Sequence, residues 1–448
     1  VNPVCIVGAG PGGLSAAVAC KRCGIPFRIL DAGRRPGGIW DIERADTPMY
    51  ESAHFISSKT LSGFPDFPMP DSWPDYPGHE LILEYIEAYA RHHDLEEHVT
   101  FGATVTRARP VGDASRADGP EWSVTWADAS GSERTERFAA LIVATGVTWH
   151  PRMPDIPGTF DGEIRHSRSY RSPDEFRGRR VLVVGGGNSG VDIACDAARS
   201  ADRAWLSLRR GYHFVPKYVF GTPSDVFAHR GPALPAWLER RVFGFLIDRV
   251  LVGDLTRFGL PKPDHPILTS HPIMNTEVLH HLGHGDLVAR PDVTRFDGDT
   301  VVFEDGSRES VDLVLLATGY HRAYPFLAGD DLGGGAGDVG PLALRPDDLH
   351  LMLFHRRAPT LSFVGIFETD GAAYELMARQ SEVVAAVIDA LRDGGEPAKR
   401  LRARIASDRA DLRGGHVYVE SARHEFYAPG RPYRKALRRM AAGLVAET

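Results

Sequence analysis

The chain reads as an α/β protein built from two Rossmann-like dinucleotide-binding domains, each with an antiparallel β meander inserted before its last strand. Two observations predict this. Glycine-rich turns occur at 8–14 (GAGPGGL) and 185–190 (GGGNSG), each after a β-branched run and before an alanine-rich helix. Both copies then close on the same tripeptide, Ala-Thr-Gly, at 144–146 and 317–319. From first turn glycine to closing glycine the copies span 138 and 134 residues, so one plan is used twice. A lone G-x-G-x-x-G often arises by chance; two with matched closings do not.

In the first copy a buried-strand run, Val4 to Val7, leads into Gly8, Gly10 and Gly13 and a helix over Leu14 to Cys23. A strand from Phe27 to Leu30 follows and ends in Asp31. The β-rich stretch from 99 to 139 is the meander, and ALIVATG closes the copy with Thr145 and Gly146. The second copy repeats this with Val181 to Val184, then Gly185, Gly187 and Gly190, a helix, and a strand over Ala204 to Leu208. Its meander runs from 293, and it closes with Thr318 and Gly319. Residues 1–150 are therefore expected to form the first part of one nucleotide domain and 151–319 the other, with a helical insertion around 212–275. The segment 320–448 is too helical and too short for a third such domain and is expected to complete the first.

Strand ends decide which nucleotides bind. A glycine turn lets a pyrophosphate approach backbone N–H groups at a helix N-terminus, and the residue closing the second strand meets the adenosine ribose. In copy one that residue is Asp31, which accepts from ribose hydroxyls and repels a 2′-phosphate, so FAD or NAD is expected. The tight run Pro36-Gly37-Gly38-Ile39-Trp40, with Gly38 allowing close approach and Trp40 covering a ring, favours FAD. In copy two the same offset carries Leu208 followed by Arg209 and Arg210. Two guanidiniums in place of a carboxylate suit a 2′-phosphate, so NADPH is expected there. Asn188 and Ser189, inside the second turn, are expected to contact NADPH.

Composition narrows the function. A net charge of −7 argues against a nucleic-acid partner. No run of about eighteen apolar residues appears, so no membrane-spanning helix is expected. Cys20 and Cys23 resemble a redox pair, but the helix that carries them starts at the pyrophosphate and not at a reacting ring, so burial is the expected role. Few cysteines, no disulfide framework and a strand at the very start, with no signal peptide before it, point to the cytoplasm. No metal site is expected, and either a monomer or a homodimer is compatible.

Between the two copies lies FDGEIRHSRSY, which reads Phe160-x-Gly162-x-x-x-His166-x-x-x-Tyr170. Together with both glycine turns, GGIW at 37–40, SSKTLSGFPDFPMP at 57–70, HPIMN at 271–275 and LLATGY at 315–320, it resembles the class B flavin monooxygenases nearly end to end. The ending in Tyr170 and Arg171 resembles the flavin-containing, dimethylaniline-monooxygenase-like branch more than the Baeyer–Villiger branch. The resemblance implies NADPH-dependent reduction of FAD, a C4a-hydroperoxyflavin, and transfer of one oxygen atom to a small lipophilic amine or sulfide. Ketone oxidation and an oxygen-independent flavin reductase are the alternatives. By the same resemblance His166 is a site residue that links the flavin and nicotinamide states. One departure stands out: where many relatives carry an Asn over the flavin, this chain has Ile56, followed by Ser57. An apolar residue cannot hydrogen-bond an oxygenated flavin, so a neighbour such as Ser57 must substitute or the intermediate is held differently. Asn275 and Tyr320 are further candidates for the cavity wall. The apolar stretch from 236 to 252 is expected to form a lid or partner contact.

Overall fold

The computed structural model describes residues 2–112, 119–230, 236–332, 341–421 and 423–447. Positions 231–235 of the insertion and 333–340 and Thr448 of the last segment lie outside the described residues.

Two sheets organise the chain, the first parallel except for the antiparallel pairings of its edge strands Leu349–His350 and Phe354–His355, and the second parallel throughout. The first has seven strands in the order Leu349–His350, Phe354–His355, Ala358–Phe363, Ala140–Val143, Val4–Val7, Phe27–Asp31 and Val99–Phe101. Val4–Val7 lies between Phe27–Asp31 and Ala140–Val143, both parallel to it, so the chain reverses its winding beside the first glycine turn. Ligands of open α/β sheets bind in such a crevice. The second sheet repeats the arrangement with Glu163–His166, Leu313–Leu316, Arg180–Val184, Arg203–Ser207 and Leu287–Arg290, every pairing parallel. These central strands are apolar and fully buried because both faces are covered.

The meanders lie outside these sheets. Thr104–Val111, Glu121–Ala127 and Glu133–Phe138 pair antiparallel in the first unit, and Val293–Gly298, Thr300–Phe303 and Arg308–Ser310 in the second. The last segment returns to the first unit: Ala358–Phe363 pairs parallel with Ala140–Val143, and the helix Ala373–Arg392 packs on Pro11–Arg22. Trp122 of the meander, fully buried, donates its indole N–H to Thr360 Oγ1 at 3.0 Å, which ties the two ends of the unit together.

Local boundaries differ from the sequence reading for identifiable reasons. The first helix spans Pro11–Arg22 and not Leu14 to Cys23, because Gly10 caps it and Pro11 occupies the first turn, where a missing N–H costs nothing. The strand of the second unit ends at Ser207; Leu208 leaves it to donate its N–H to Arg290 O at 2.9 Å.

The glycine turns are forced by contact. Gly8 and Gly185 have φ of +110° and +122°, and a Cβ at either would meet the carbonyl oxygen of Ala144 or Ala317 at 2.5 and 2.3 Å. The shared Ala-Thr-Gly endings are thus the surfaces against which each turn is pressed. Gly13 and Gly190 stand on the helices, where a Cβ would lie 1.8 and 2.2 Å from the Gly8 and Gly185 oxygens. Gly13 does not line the cavity, which corrects its expected place among the cofactor contacts: it lets helix and strand touch. Gly13→Ala should therefore cost at least about 1–3 kcal/mol from overpacking against backbone that cannot yield. Thermal unfolding of the purified variant checks this, and unchanged stability would mean the helix can shift freely.

Candidate active site

Both glycine turns open into one cavity of about 1620 Å³. A site for a single small ligand has about 300–1000 Å³, so this cavity has room for two nucleotides side by side. Its wall includes Gly8, Gly10, Asp31, Gly38, Trp40, Thr145 and Gly146 from the first unit. The second unit contributes Gly185, Gly187, Asn188, Ser189, Gly190, Arg209, Arg210, Thr318 and Gly319.

The first turn fits a flavin dinucleotide. Asp31, buried at the end of its strand, accepts from Ala9 N at 2.6 Å and Gly33 N at 2.5 Å, and Arg44 approaches it at 3.4 Å. The carboxylate thus shapes the turn and still has lone pairs facing the cavity. Gly38 lies so near Gly10 that a Cβ would come within 3.1 Å of the Gly10 Cα, leaving the crevice to backbone. Trp40 meets Phe55 edge-on with ring centroids 5.0 Å apart, giving a flat apolar wall beside Ile56.

The second turn fits a dinucleotide with an extra phosphate. Arg209 is exposed at the cavity rim. Arg210 lies 5.5 Å from the Tyr212 ring centroid, and its buried Nε has no hydrogen-bond partner among the described residues. A buried donor without a partner is costly, and a phosphate oxygen would satisfy it. Asn188 does more than face the cavity: its Oδ1 accepts from Met274 N at 2.9 Å and so pins the HPIMN loop to the turn. Asn275 of that loop does not line the cavity itself: it donates to Asp192, which does, at 2.6 Å and accepts from Val278 N at 3.1 Å.

His166 is the last residue of an edge strand and does not line the cavity. Its Nε2 bonds Gly319 O at 3.0 Å, and its Nδ1 accepts from Arg168 N at 3.1 Å. Burial first, and then nearby Arg168, push its pKa below the usual histidine value, against the bond to Gly319, so the ring is neutral with the proton on Nε2. Both nitrogens bond the protein backbone, and neither is free to move a proton in the cavity. His166 instead braces the Thr318-Gly319 turn, and Tyr320 beside it, with ring centroids 5.0 Å from His166, does face the cavity.

Tyr170 has a more consequential position. Fully buried, it donates to Asp196 Oδ2 at 3.0 Å, and Ser52 Oγ donates to the same oxygen at 2.5 Å. Arg199 Nη1 reaches the other carboxylate oxygen at 3.1 Å. Burial raises the Asp196 pKa while these donors favour the charged form. Asp196 belongs to the helix Asn188–Ser200 of the second unit, Ser52 to the first unit, and Tyr170 to the connection between them. One carboxylate therefore fastens the second nucleotide turn to the loop that carries Ile56 and Ser57.

Ile56 and Ser57 both face the cavity, and the Ser57 hydroxyl pairs with Ser62 Oγ at 2.7 Å. Next to them lies a cluster that sequence reasoning missed. His54 Nδ1 bonds Ser52 O at 3.0 Å, its Nε2 contacts Lys217 of the insertion, and Asp225 of the insertion accepts from Ser58 N at 2.6 Å. The insertion thus completes the wall around Ile56. Nothing in the spacing of HFVPK marks Lys217, because its partner lies 163 residues away. The cysteines take no part: Cys20 is buried, burial pushes its thiol up to about 12, and all four are free thiols.

A family model described as flavin-binding monooxygenase-like matches residues 2–423. Flavin-containing monooxygenase 5 of Mus musculus is 29% identical over 94% of this chain and 79% of its own length. Flavin-containing monooxygenase 3 of Homo sapiens is 31% identical over 86% of this chain and 73% of its own. Among solved structures, S-allyl-L-cysteine S-oxygenase from Allium sativum superposes with a TM-score of 0.65 at 22% identity, covering 99% of this chain and 92% of that one.

Tyr170→Phe should leave Asp196 one donor short in a buried place, at about 1–3 kcal/mol. The expected result is lower thermal stability, slower flavin reduction by NADPH and unchanged flavin content. Lower stability with an unchanged reduction rate would make the tie purely structural.

Proposed function

The chain belongs to the flavin-binding monooxygenase-like family and is a FAD-dependent monooxygenase, and we propose that it uses NADPH and O2 to insert one oxygen atom into a small lipophilic amine or sulfide. The observation that carries this reading is the common cavity, in which two nucleotide turns face each other beside an apolar wall. Bound FAD supplies the two-electron chemistry and the activation of dioxygen; the protein supplies orientation and exclusion of water. Asp31 and the first turn hold the flavin dinucleotide. Arg209 and Arg210 select the 2′-phosphate of NADPH over NADH. Val215, Val219, Phe227, Phe243, Leu246 and Ile247 of the insertion present an apolar surface to the substrate space. No acid–base residue is required on the substrate: an amine nitrogen or sulfide sulfur brings its own electron pair.

No helix among the described residues is long and apolar enough to cross a membrane. The free thiols suit a reducing compartment, and we place the enzyme in the cytoplasm.

Incubation with NADPH, 18O2 and a panel of one sulfide, one tertiary amine and one cyclic ketone tests the reaction. Labelled sulfoxide or N-oxide is the expected product. A labelled lactone from the ketone alone would replace the heteroatom reading, and hydrogen peroxide with no labelled product would replace oxygenation altogether. Position 56 has its own test. Ile56→Asn restores an amide beside the flavin site, and one added hydrogen bond is worth about 0.5–1.5 kcal/mol. Peroxide released per NADPH should fall by roughly two- to tenfold. Unchanged release would show that this side chain does not meet the oxygen-reacting edge.

A further inference from the structure

The last segment of the chain reaches the second nucleotide turn from the first unit. Glu368 N donates to Phe426 O and Ala428 N to Glu368 O, both at 2.9 Å, so residues 426–428 run as a short parallel bridge beside Glu368. On its other side the segment holds the second unit: Val419 N donates to Thr269 O at 2.8 Å and His271 N to His424 Nε2 at 3.1 Å. Between these anchors Arg423 faces the cavity, one third exposed, with its Nε 3.4 Å from Glu368 Oε2.

What Arg423 faces is Gly187. Unlike Gly185, Gly187 has an ordinary extended backbone, φ −74° and ψ 169°, that any residue adopts. Among the described residues a Cβ there would find only Arg423 Nη1 within 4 Å, at 3.9 Å. Neither conformation nor packing among the described residues therefore demands a glycine at this position; a ligand against the backbone would. Gly187 is also the N-cap of Asn188–Ser200 and gives the helix no side-chain cap, so the first-turn N–H groups are left for an anion. The surroundings are cationic. Burial, then Arg423 and His424, push His271 down to about 3. Burial, then Arg423 and Arg210, push His424 down to about 4. Both rings are neutral at physiological pH and leave the charge to the guanidiniums.

We propose that Arg423 closes over the diphosphate of the dinucleotide held at the second glycine turn, so that the C-terminal segment of the first unit clamps the nicotinamide cofactor across the cavity. This rests on the reading of the second turn as the NADPH site. The clamp explains why Glu368 carries two arginines, Arg423 and Arg322, each at 3.4 Å: it holds the guanidinium in reach of the turn without committing its Nη atoms. Specificity and retention are thereby separated. Arg209 and Arg210 read the 2′-phosphate, while Arg423 grips a group that NADP+ and NAD+ share.

The test is calorimetric titration of the oxidised holoenzyme with NADP+ and, separately, with NAD+. A charge-assisted bond of this kind is worth about 1.5–3 kcal/mol, and Arg423 is partly exposed. Arg423→Ala should therefore raise both Kd values by about tenfold, with their ratio unchanged and flavin content intact. Arg423→Lys should recover part of the loss. Gly187→Ala, which the backbone tolerates, should weaken both nucleotides in the same way and guards against misfolding of the arginine variant. If Arg423→Ala leaves both Kd values within about twofold of the parent, the clamp does not exist. If it weakens NADP+ alone, the guanidinium belongs to the 2′-phosphate and the diphosphate assignment falls. The underlying reading is judged separately: Arg209→Ala with Arg210→Ala should weaken NADP+ only, and an unchanged NADP+ to NAD+ ratio would overturn the second turn as an NADPH site.

Discussion

The buried carboxylate of Asp196 is the constraint on which this architecture turns. Two nucleotide units of similar plan fold around separate sheets, and nothing in either unit alone dictates that their turns should face one another. Asp196 does so by accepting from Ser52 of the first unit and Tyr170 of the connection while standing on the helix that opens at the second turn. Burying a charge is expensive unless donors surround it, and breaking such a set costs more than the set contributes. The tie is therefore suited to fixing geometry: it sets where Ile56 and Ser57 stand relative to the second nucleotide.

His166 and Tyr170 belong to one stretch of sequence but hold different parts of the second unit. His166 braces the closing turn Thr318-Gly319 through its ring, and Tyr170 fastens the helix that begins at Asn188. The segment between the two glycine turns is thus a frame that holds the second site from both ends. This accounts for its information content without asking it to move protons. The same logic extends to the insertion, whose Lys217 and Asp225 hold the loop from Ser52 to Ser58, and to the C-terminal segment across the cavity.

Much of the plan was legible in the sequence because it depends on local backbone demands. Positive φ at Gly8 and Gly185 and the closing Ala-Thr-Gly turns are properties of short stretches, and both turns open into one cavity. The carboxylate of Asp31 and the guanidiniums of Arg209 and Arg210 follow from fixed offsets within a βαβ unit. Side chains whose role comes from a distant partner were not legible. Asp196 sits in an ordinary helix, and only the fold brings Ser52 to it from 144 residues away. Arg423 looks like one arginine among many until it is found against Gly187. His166 stood out by its spacing, yet its ring bonds could be seen only once Gly319 was placed beside it. Gly13 matched the ligand fingerprint and proved to serve helix packing, because the same motif encodes both demands.

On the function proposed above, two dinucleotides occupy this cavity together, in contact at their reacting ends. Anaerobic rapid mixing of the holoenzyme with NADPH, and with NADPH deuterated at C4, tests it most directly. Bleaching of the oxidised flavin without any added electron carrier, slowed by deuterium on one face of the nicotinamide only, is the predicted result. Flavin that stays oxidised, or that bleaches with no isotope effect from either face, would contradict a shared cavity and place the two nucleotides in sites that do not meet.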